Sequence, residues 1–355
     1  MKNETSRPGI IGPLAAAVLF GVFLIAAPPG LSQTVALTPP NPAGSYPAPG
    51  QLIDVGGYRI HLDCTGKGNP TVVMASGLGD YSFDWSLVQP LVARSSRVCT
   101  YDRAGYAWSE PDPKPRSLQR AVDELHTVLH NARIGGPYIL VGHSWGGLIV
   151  RVFASVYAEE TAGMVLVDSS HEDRLEVVNG KRIRARLLTH AELHDLFEAE
   201  RKADQLRAIS AKSPKPEIAP KTFVPKVQPP YDKLPPEIQE LRIWARSKGR
   251  VADVSDYQEP LLLVHATRTD RRFPFGEMPL IVLSRGINDF SDDQGVSAAE
   301  FFADHRKRQA HLATLSRNTK QIIARKSGHH IPLDQPELVV AAVDQILNAV
   351  RHHVR

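Results

Sequence analysis

From residue 51 onward, short unbroken apolar runs alternate with longer stretches of helical period. This alternation does most to limit what the chain can fold into. The runs are TVVMAS (71–76), SRVCTYD (96–102), YILVGH (138–143), GMVLVDS (163–169), LIVLS (280–284) and KQIIAR (320–325). Apolar runs of this length without polar alternation suit strands covered on both faces, as in parallel sheets. Between them, residues 117–133, 147–158, 297–316 and 336–353 read as helices. The opening segment QLIDVGGYRIHLDC reads as two strands that turn at Gly56-Gly57. A hairpin followed by β-α alternation predicts an α/β fold, with a mostly parallel sheet, an antiparallel edge and flanking helices.

Two segments stand outside the alternation. Residues 172–258 are charged, proline-rich in the middle, and helical in pattern at 191–210 and 235–248. An insertion this long between core strands predicts a functional lid. It divides the core into residues 51–171 and 259–355. At the N-terminus, Lys2 and Arg7 precede IIGPLAAAVLFGVFLIAA (10–27), which carries no charge. That pattern predicts a signal peptide over 1–32, or a retained membrane anchor through 10–27. Either one means export, to a secreted or periplasmic location or to the outer side of a membrane. Residues 33–50 are proline-rich and read as an extended linker. The formal charge is only +4 over 355 residues, and no basic tract is interleaved with aromatics, so nucleic acid is not an expected partner. The two cysteines, Cys64 and Cys99, fall in different expected strands, and their spacing fits no zinc site. They read as buried hydrophobes or, in an exported chain, as a disulfide pair.

The chemistry concentrates in GHSWGG, residues 142–147, where an apolar strand runs in and a helix with a small-residue start runs out. In that setting a G-x-S-x-G serine stands on a sharp elbow with its hydroxyl exposed. The tight turn leaves no room for side chains beside the serine, and the helix start aims N–H groups and a positive dipole end at the site. Ser144 is the expected nucleophile. A nucleophilic serine needs a base. SGHHIPLDQPELV follows the last expected strand, and either His329 or His330 could reach the elbow from there. Oxyanion donors are also needed. MASGLGD follows an early strand, and the N–H groups of Leu78 and Trp145 are the natural pair. The sequence carries no cofactor, metal or nucleotide motif, so neither cofactor nor metal is expected.

Together the hairpin, the S-G-L-G turn, YDRAGYAWS (101–109), GHSWGG and SGHHIPLDQPELV resemble the α/β-hydrolase superfamily over residues 51 to 351. The resemblance implies an eight-stranded sheet with flanking helices and an inserted helical lid. It implies Ser144 as nucleophile, His329 as base and Leu78 as the first oxyanion residue, with Ser76 in place of the histidine of the family's H-G turn. Ala107 stands where the family's D-R-x-G-x-G-x-S has its second glycine, and Asp102 and Arg103 are implied to be structural. The family's sheet order sets the hairpin's second strand beside SRVCTYD, which implies a Cys64–Cys99 disulfide.

The acid is expected between serine and histidine in chain order. Asp168, at the end of GMVLVD, is the first choice. Asp289, in LSRGINDF, has the family's commoner placement and is the alternative. Asp270 is a third candidate, although it would leave PLIVLS as an extra strand. LVDSSHED and PLIVLSRG also resemble a subgroup that often lacks the later acid. These roles imply a serine hydrolase that cleaves a carboxylic ester of a small-molecule acyl substrate. The same triad would serve an amidase, lactonase, peptidase or C–C hydrolase, whereas a serine nucleophile argues against epoxide hydrolase or dehalogenase chemistry. Two readings from other classes are a non-catalytic ligand-binding module on this fold and a membrane-tethered scaffold. The Ser-His pair argues against the first, and the small charge surplus of the lid argues against the second.

Overall fold

The computed structural model describes residues 46–114, 117–178, 180–189, 191–192, 227–248 and 273–353. The expected leader, most of the linker, most of the expected helix 191–210 and Asp270 lie outside these residues. Among the described residues, eight strands form one sheet. They are β1 (Gln51–Asp54), β2 (Arg59–Thr65), β3 (Val72–Ala75), β4 (Val98–Tyr101), β5 (Tyr138–His143), β6 (Thr161–Val167), β9 (Leu280–Arg285) and β10 (Thr319–Ala324). Two further strands, β7 (Leu175–Val178) and β8 (Lys181–Arg184), pair separately. The large sheet runs β1-β2-β4-β3-β5-β6-β9-β10. The β1–β2 and β2–β4 pairs are antiparallel and the rest are parallel.

The apolar runs become strands because helices cover both faces. Along β5, Tyr138 and Leu140 join one core cluster while Ile139 and Val141 join the other. The same period of two sorts Met164 and Leu166 from Val165 and Val167 on β6. One cluster takes its helical side from α1 (Leu118–Asn131) and α2 (Gly146–Val156), the other from α5 (Pro336–His353). Each such buried side chain contributes about 1.5–3 kcal/mol of apolar burial. No helix among the described residues is long and apolar enough to cross a membrane.

In the antiparallel edge, Cys64 lies opposite Cys99 in the β2–β4 register, and the two are bonded as a disulfide with Cα atoms 4.1 Å apart. The position of Ala107 shows why a glycine is usual there, since its φ is +41°.

The insertion departs from an all-helical reading. Its first described part is the β7–β8 hairpin, with Gly180 at φ +74° in the turn. Asn179-Gly180 between two β-branched stretches is a strong hairpin signal, and reading the segment for helical period overlooked it. The hairpin is tied to α4 (Ala298–Leu312), where Asp304 accepts from the Leu175 N–H at 2.9 Å and from Arg184 Nη1 at 2.7 Å. At the other end of the insertion, α3 (Pro236–Ser247) matches the helix expected at 235–248. It packs Trp244 against Trp108 and Tyr46.

Candidate functional site

The site lies at the carboxyl ends of β3, β5 and β6, the usual place for ligands in an open parallel sheet. Ser144 joins β5 to α2 with φ +51°, a left-handed conformation that a non-glycine residue holds only under constraint. The constraint is packing. A Cβ on Gly142 would lie 2.6 Å from the Gly146 carbonyl oxygen, and one on Gly146 would lie 2.2 Å from that of Ala75. The Ser144 N–H donates to Val167 O and its carbonyl accepts from the Ser170 N–H, so β6 braces the elbow on both sides.

His329 returns to the elbow from the loop between β10 and α5. Its Nε2 lies 2.9 Å from Ser144 Oγ. Its Nδ1 lies 2.6 Å from Asp168 Oδ2. Asp168 caps the end of β6 at φ +41° and is 1% exposed. Its carboxylate also accepts from the Arg285 backbone N–H at 2.9 Å, from Arg285 Nε at 2.7 Å and from His305 Nε2 at 2.8 Å. Arg285 Nη2 sits 2.7 Å from His329 Nδ1. Both nitrogens converge on the same carboxylate oxygen, which can only accept, so the Nδ1 proton belongs to the bond with Asp168. That tautomer leaves the Nε2 lone pair facing the Ser144 hydroxyl.

Asp289 sits elsewhere in the same cluster. It accepts the His329 backbone N–H at 2.7 Å and is ion-paired to Arg285. It therefore meets the main chain of His329, whereas Asp168 meets its ring. His330 turns its ring away from the serine, toward Asp80, His143 and Tyr231.

Leu78 and Trp145 both line the cleft with Ser144. Arg103 donates to Ser76 O at 2.7 Å and Gly77 O at 2.8 Å, and the Asp80 N–H also bonds Gly77 O. A trans peptide points its C=O and N–H in opposite directions. Holding the Gly77 carbonyl from one side thus turns the Leu78 N–H to the other. The neighbouring Asp102 has a bracing part, accepting from the Ser82 N–H and the buried His61 ring.

The electrostatics follow from crowding. Desolvation pushes the His329 imidazole down to about 4, with Arg285 and His143 adding to it and Asp168 opposing. Burial pushes the Asp168 carboxyl up, but Arg285, His305 and the histidine bonds outweigh it and hold it well below the usual range. An ionised carboxylate and a neutral imidazole is the charge state a general base needs at neutral pH. The cleft itself has a volume of about 430 Å³ and runs between the β7–β8 hairpin and α4.

Arg285 and His305 were not foreseen from sequence. Arg285 follows an apolar strand like many solvent-facing residues do, and His305 is one of 14 histidines. Only the packing of α4 beside β9 brings them to Asp168.

Comparison with known proteins agrees with this fold. Residues 72–342 match a family model described as "Alpha/beta hydrolase family". An uncharacterized protein of Schizosaccharomyces pombe is 32% identical over 164 residues, which cover 38% of this chain and 30% of that protein. The chain thus spans under a third of that relative's length. An AB hydrolase superfamily protein of Gibberella zeae is 25% identical over 303 residues, covering 79% of this chain and 87% of its own. Among solved structures, a thermophilic esterase from Thermogutta terrifontis superposes with a TM-score of 0.53 at 19% identity, over 84% of this chain and 97% of that one.

Proposed function

The chain belongs to the α/β-hydrolase family and is a hydrolase, and from that premise we propose that it is a serine esterase acting on a small-molecule carboxylic ester. The observation that carries this reading is the relay of contacts from Ser144 Oγ to His329 Nε2 at 2.9 Å, and from His329 Nδ1 to Asp168 Oδ2 at 2.6 Å. In the proposed reaction, His329 removes the Ser144 proton as Oγ attacks the ester carbonyl. Asp168 holds the ring's tautomer and stabilises the imidazolium that forms. The N–H groups of Leu78 and Trp145 bind the oxyanion. His329 then protonates the departing alcohol, and a water activated by the same ring releases the acid from the acyl-enzyme.

The cleft's volume of about 430 Å³ supports a small substrate, since a drug-sized ligand needs a few hundred cubic ångströms. Residues 172–258 are read as a cap. In support, the described hairpin forms one wall of the cleft, and α3 is anchored beside the Gly77-Leu78 turn through Arg242 and Asp80. The leader over residues 1–32 is read as an export signal or anchor, on the strength of Lys2 and Arg7 ahead of the uncharged stretch 10–27.

The test is a fluorophosphonate probe followed by peptide mapping. It should label wild type at Ser144 and leave Ser144→Ala unlabelled, with short-chain nitrophenyl ester turnover lost by about 10⁴-fold or more in that variant. A wild type that the probe does not label sinks the esterase reading.

A further inference from the structure

A second histidine cluster lies on the far side of the elbow. His143 precedes Ser144 and is 4% exposed. Its Nε2 is 3.0 Å from the carbonyl oxygen of His329. A carbonyl only accepts, so Nε2 donates there and Nδ1 is the nitrogen turned to Asp80, whose Oδ2 is 3.4 Å away. That distance is long for a hydrogen bond. It is also the separation of two ligands on one tetrahedral ion, about 3.4 Å for bonds near 2.1 Å.

A third ligand lies close by. One ring nitrogen of His330 lies with His143 and Asp80 so that all three ligand atoms are within 4.8 Å of one another. A cavity of about 10 Å³ opens among Asp80, Asp84, His143, Tyr231 and His330, room for one water-sized sphere. Asp84 Oδ1 is buried, lines that cavity through its residue and has no hydrogen-bond partner. Asp80 Oδ1 is already used by the Tyr231 hydroxyl and Arg242, which leaves Oδ2 for an ion. Asp80 and Asp84 bring two carboxylates to the one guanidinium they share, that of Arg242.

We propose that Asp80, His143 and His330 form a binding site for one transition-metal ion of the zinc class. Two imidazoles and one carboxylate suit zinc better than magnesium or calcium, which prefer all-oxygen shells. Asp84 Oδ1, buried and without a hydrogen-bond partner at the same cavity, adds an acceptor beside the ion. The consequence for the fold is direct. Asp80 belongs to the turn that carries Leu78, His143 precedes Ser144, and His330 follows His329. One ion clamps the three loops that carry the three working parts of the neighbouring site. The ligands lie far apart in the chain, which is why no metal spacing is visible in the sequence.

Full-length protein without a histidine tag, stripped with a chelator and dialysed, is titrated with zinc chloride by calorimetry in the absence of substrate. Metal binding is then read separately from turnover. Wild type should take up one saturable equivalent that His330→Gln lacks or binds at least tenfold more weakly. His330 is partly exposed, so the variant should keep the metal-free melting temperature of wild type. At a hundredfold excess over Kd, zinc should raise the wild-type Tm by about 4 °C. Cobalt(II) in wild type should give the visible absorption of a four-coordinate ion, a readout that needs no variant. Failure of wild type to bind a saturable equivalent, or equal binding by His330→Gln, overturns the proposal.

Discussion

Two clusters built from the same parts flank the elbow. On one side, His329 meets Asp168 and Asp289, and the two carboxylates share Arg285. On the other, His143 meets Asp80, and Asp80 and Asp84 share Arg242. Composition does not distinguish them. The second ring nitrogen does. His329 Nε2 faces a hydroxyl in an open cleft, whereas His143 Nε2 is committed to a backbone carbonyl behind Trp85. A histidine beside a carboxylate becomes a base only if its other nitrogen meets something that can react. The same pairing turned inward can brace a loop or hold an ion.

The sharpest way to break this comparison is to neutralise the acid of each cluster in turn. Asp168→Asn should lower kcat by about 10³–10⁴-fold with little change in KM, because an amide no longer fixes the required tautomer. Asp80→Asn should cost about 1–3 kcal/mol of stability, read by denaturant melts, and change kcat less than about tenfold. Equal losses of kcat in the two variants would mean that the clusters do not divide the labour as the geometry indicates. Asp289→Asn should fall between them, within about tenfold of wild type, since Asp289 holds only the main chain of His329.

Arg285 carries a smaller effect than Asp168 and a more diagnostic one. It touches Asp168 through its backbone N–H and its side chain, and it also reaches Asp289 and the His329 ring. Arg285→Gln should lower kcat by about 10- to 100-fold, on the scale of a modest misplacement of the base. A structural role alone would leave the pH profile of the remaining activity unmoved, so the profile decides between positioning and mere packing.

The unequal legibility of the molecule has physical causes. The strands were readable because continuous apolar runs admit few other uses. Ser144 stood out because the elbow needs glycines at fixed offsets, whereas the loop after the last strand left His329 and His330 open and only the resemblance chose between them. The acid was not readable to the same degree. Two carboxylates stand near the ends of neighbouring strands, β6 and β9, and only the rotation of one imidazole separates Asp168 from Asp289. Arg285, His305 and the Asp80–His143–His330 group arise from packing across more than 100 residues of chain, and no periodicity encodes them. The β7–β8 hairpin was missed for a different reason, since the Asn179-Gly180 pair in the sequence is a local signal and was available to be read.

The gentlest test uses pH alone. A protonated His329 cannot accept the Ser144 proton, so activity falls as pH drops through the pKa of the folded enzyme. An unperturbed histidine would put that limb near 6.5. Desolvation, with Arg285 and His143, takes the His329 imidazole to about 4. The acid limb of kcat/KM should therefore lie near pH 4, with activity flat from about pH 6 to 8, and circular dichroism should show the fold intact across the range measured. A limb near 6.5 would mean that water reaches the ring freely and that this histidine is not set apart by its surroundings. In Arg285→Gln one of the influences that disfavour the imidazolium is gone, so the limb should move to higher pH while the Asp168 contact keeps the base in place. A loss of rate with no movement of the limb would assign Arg285 to packing and leave the desolvated ring as the whole cause.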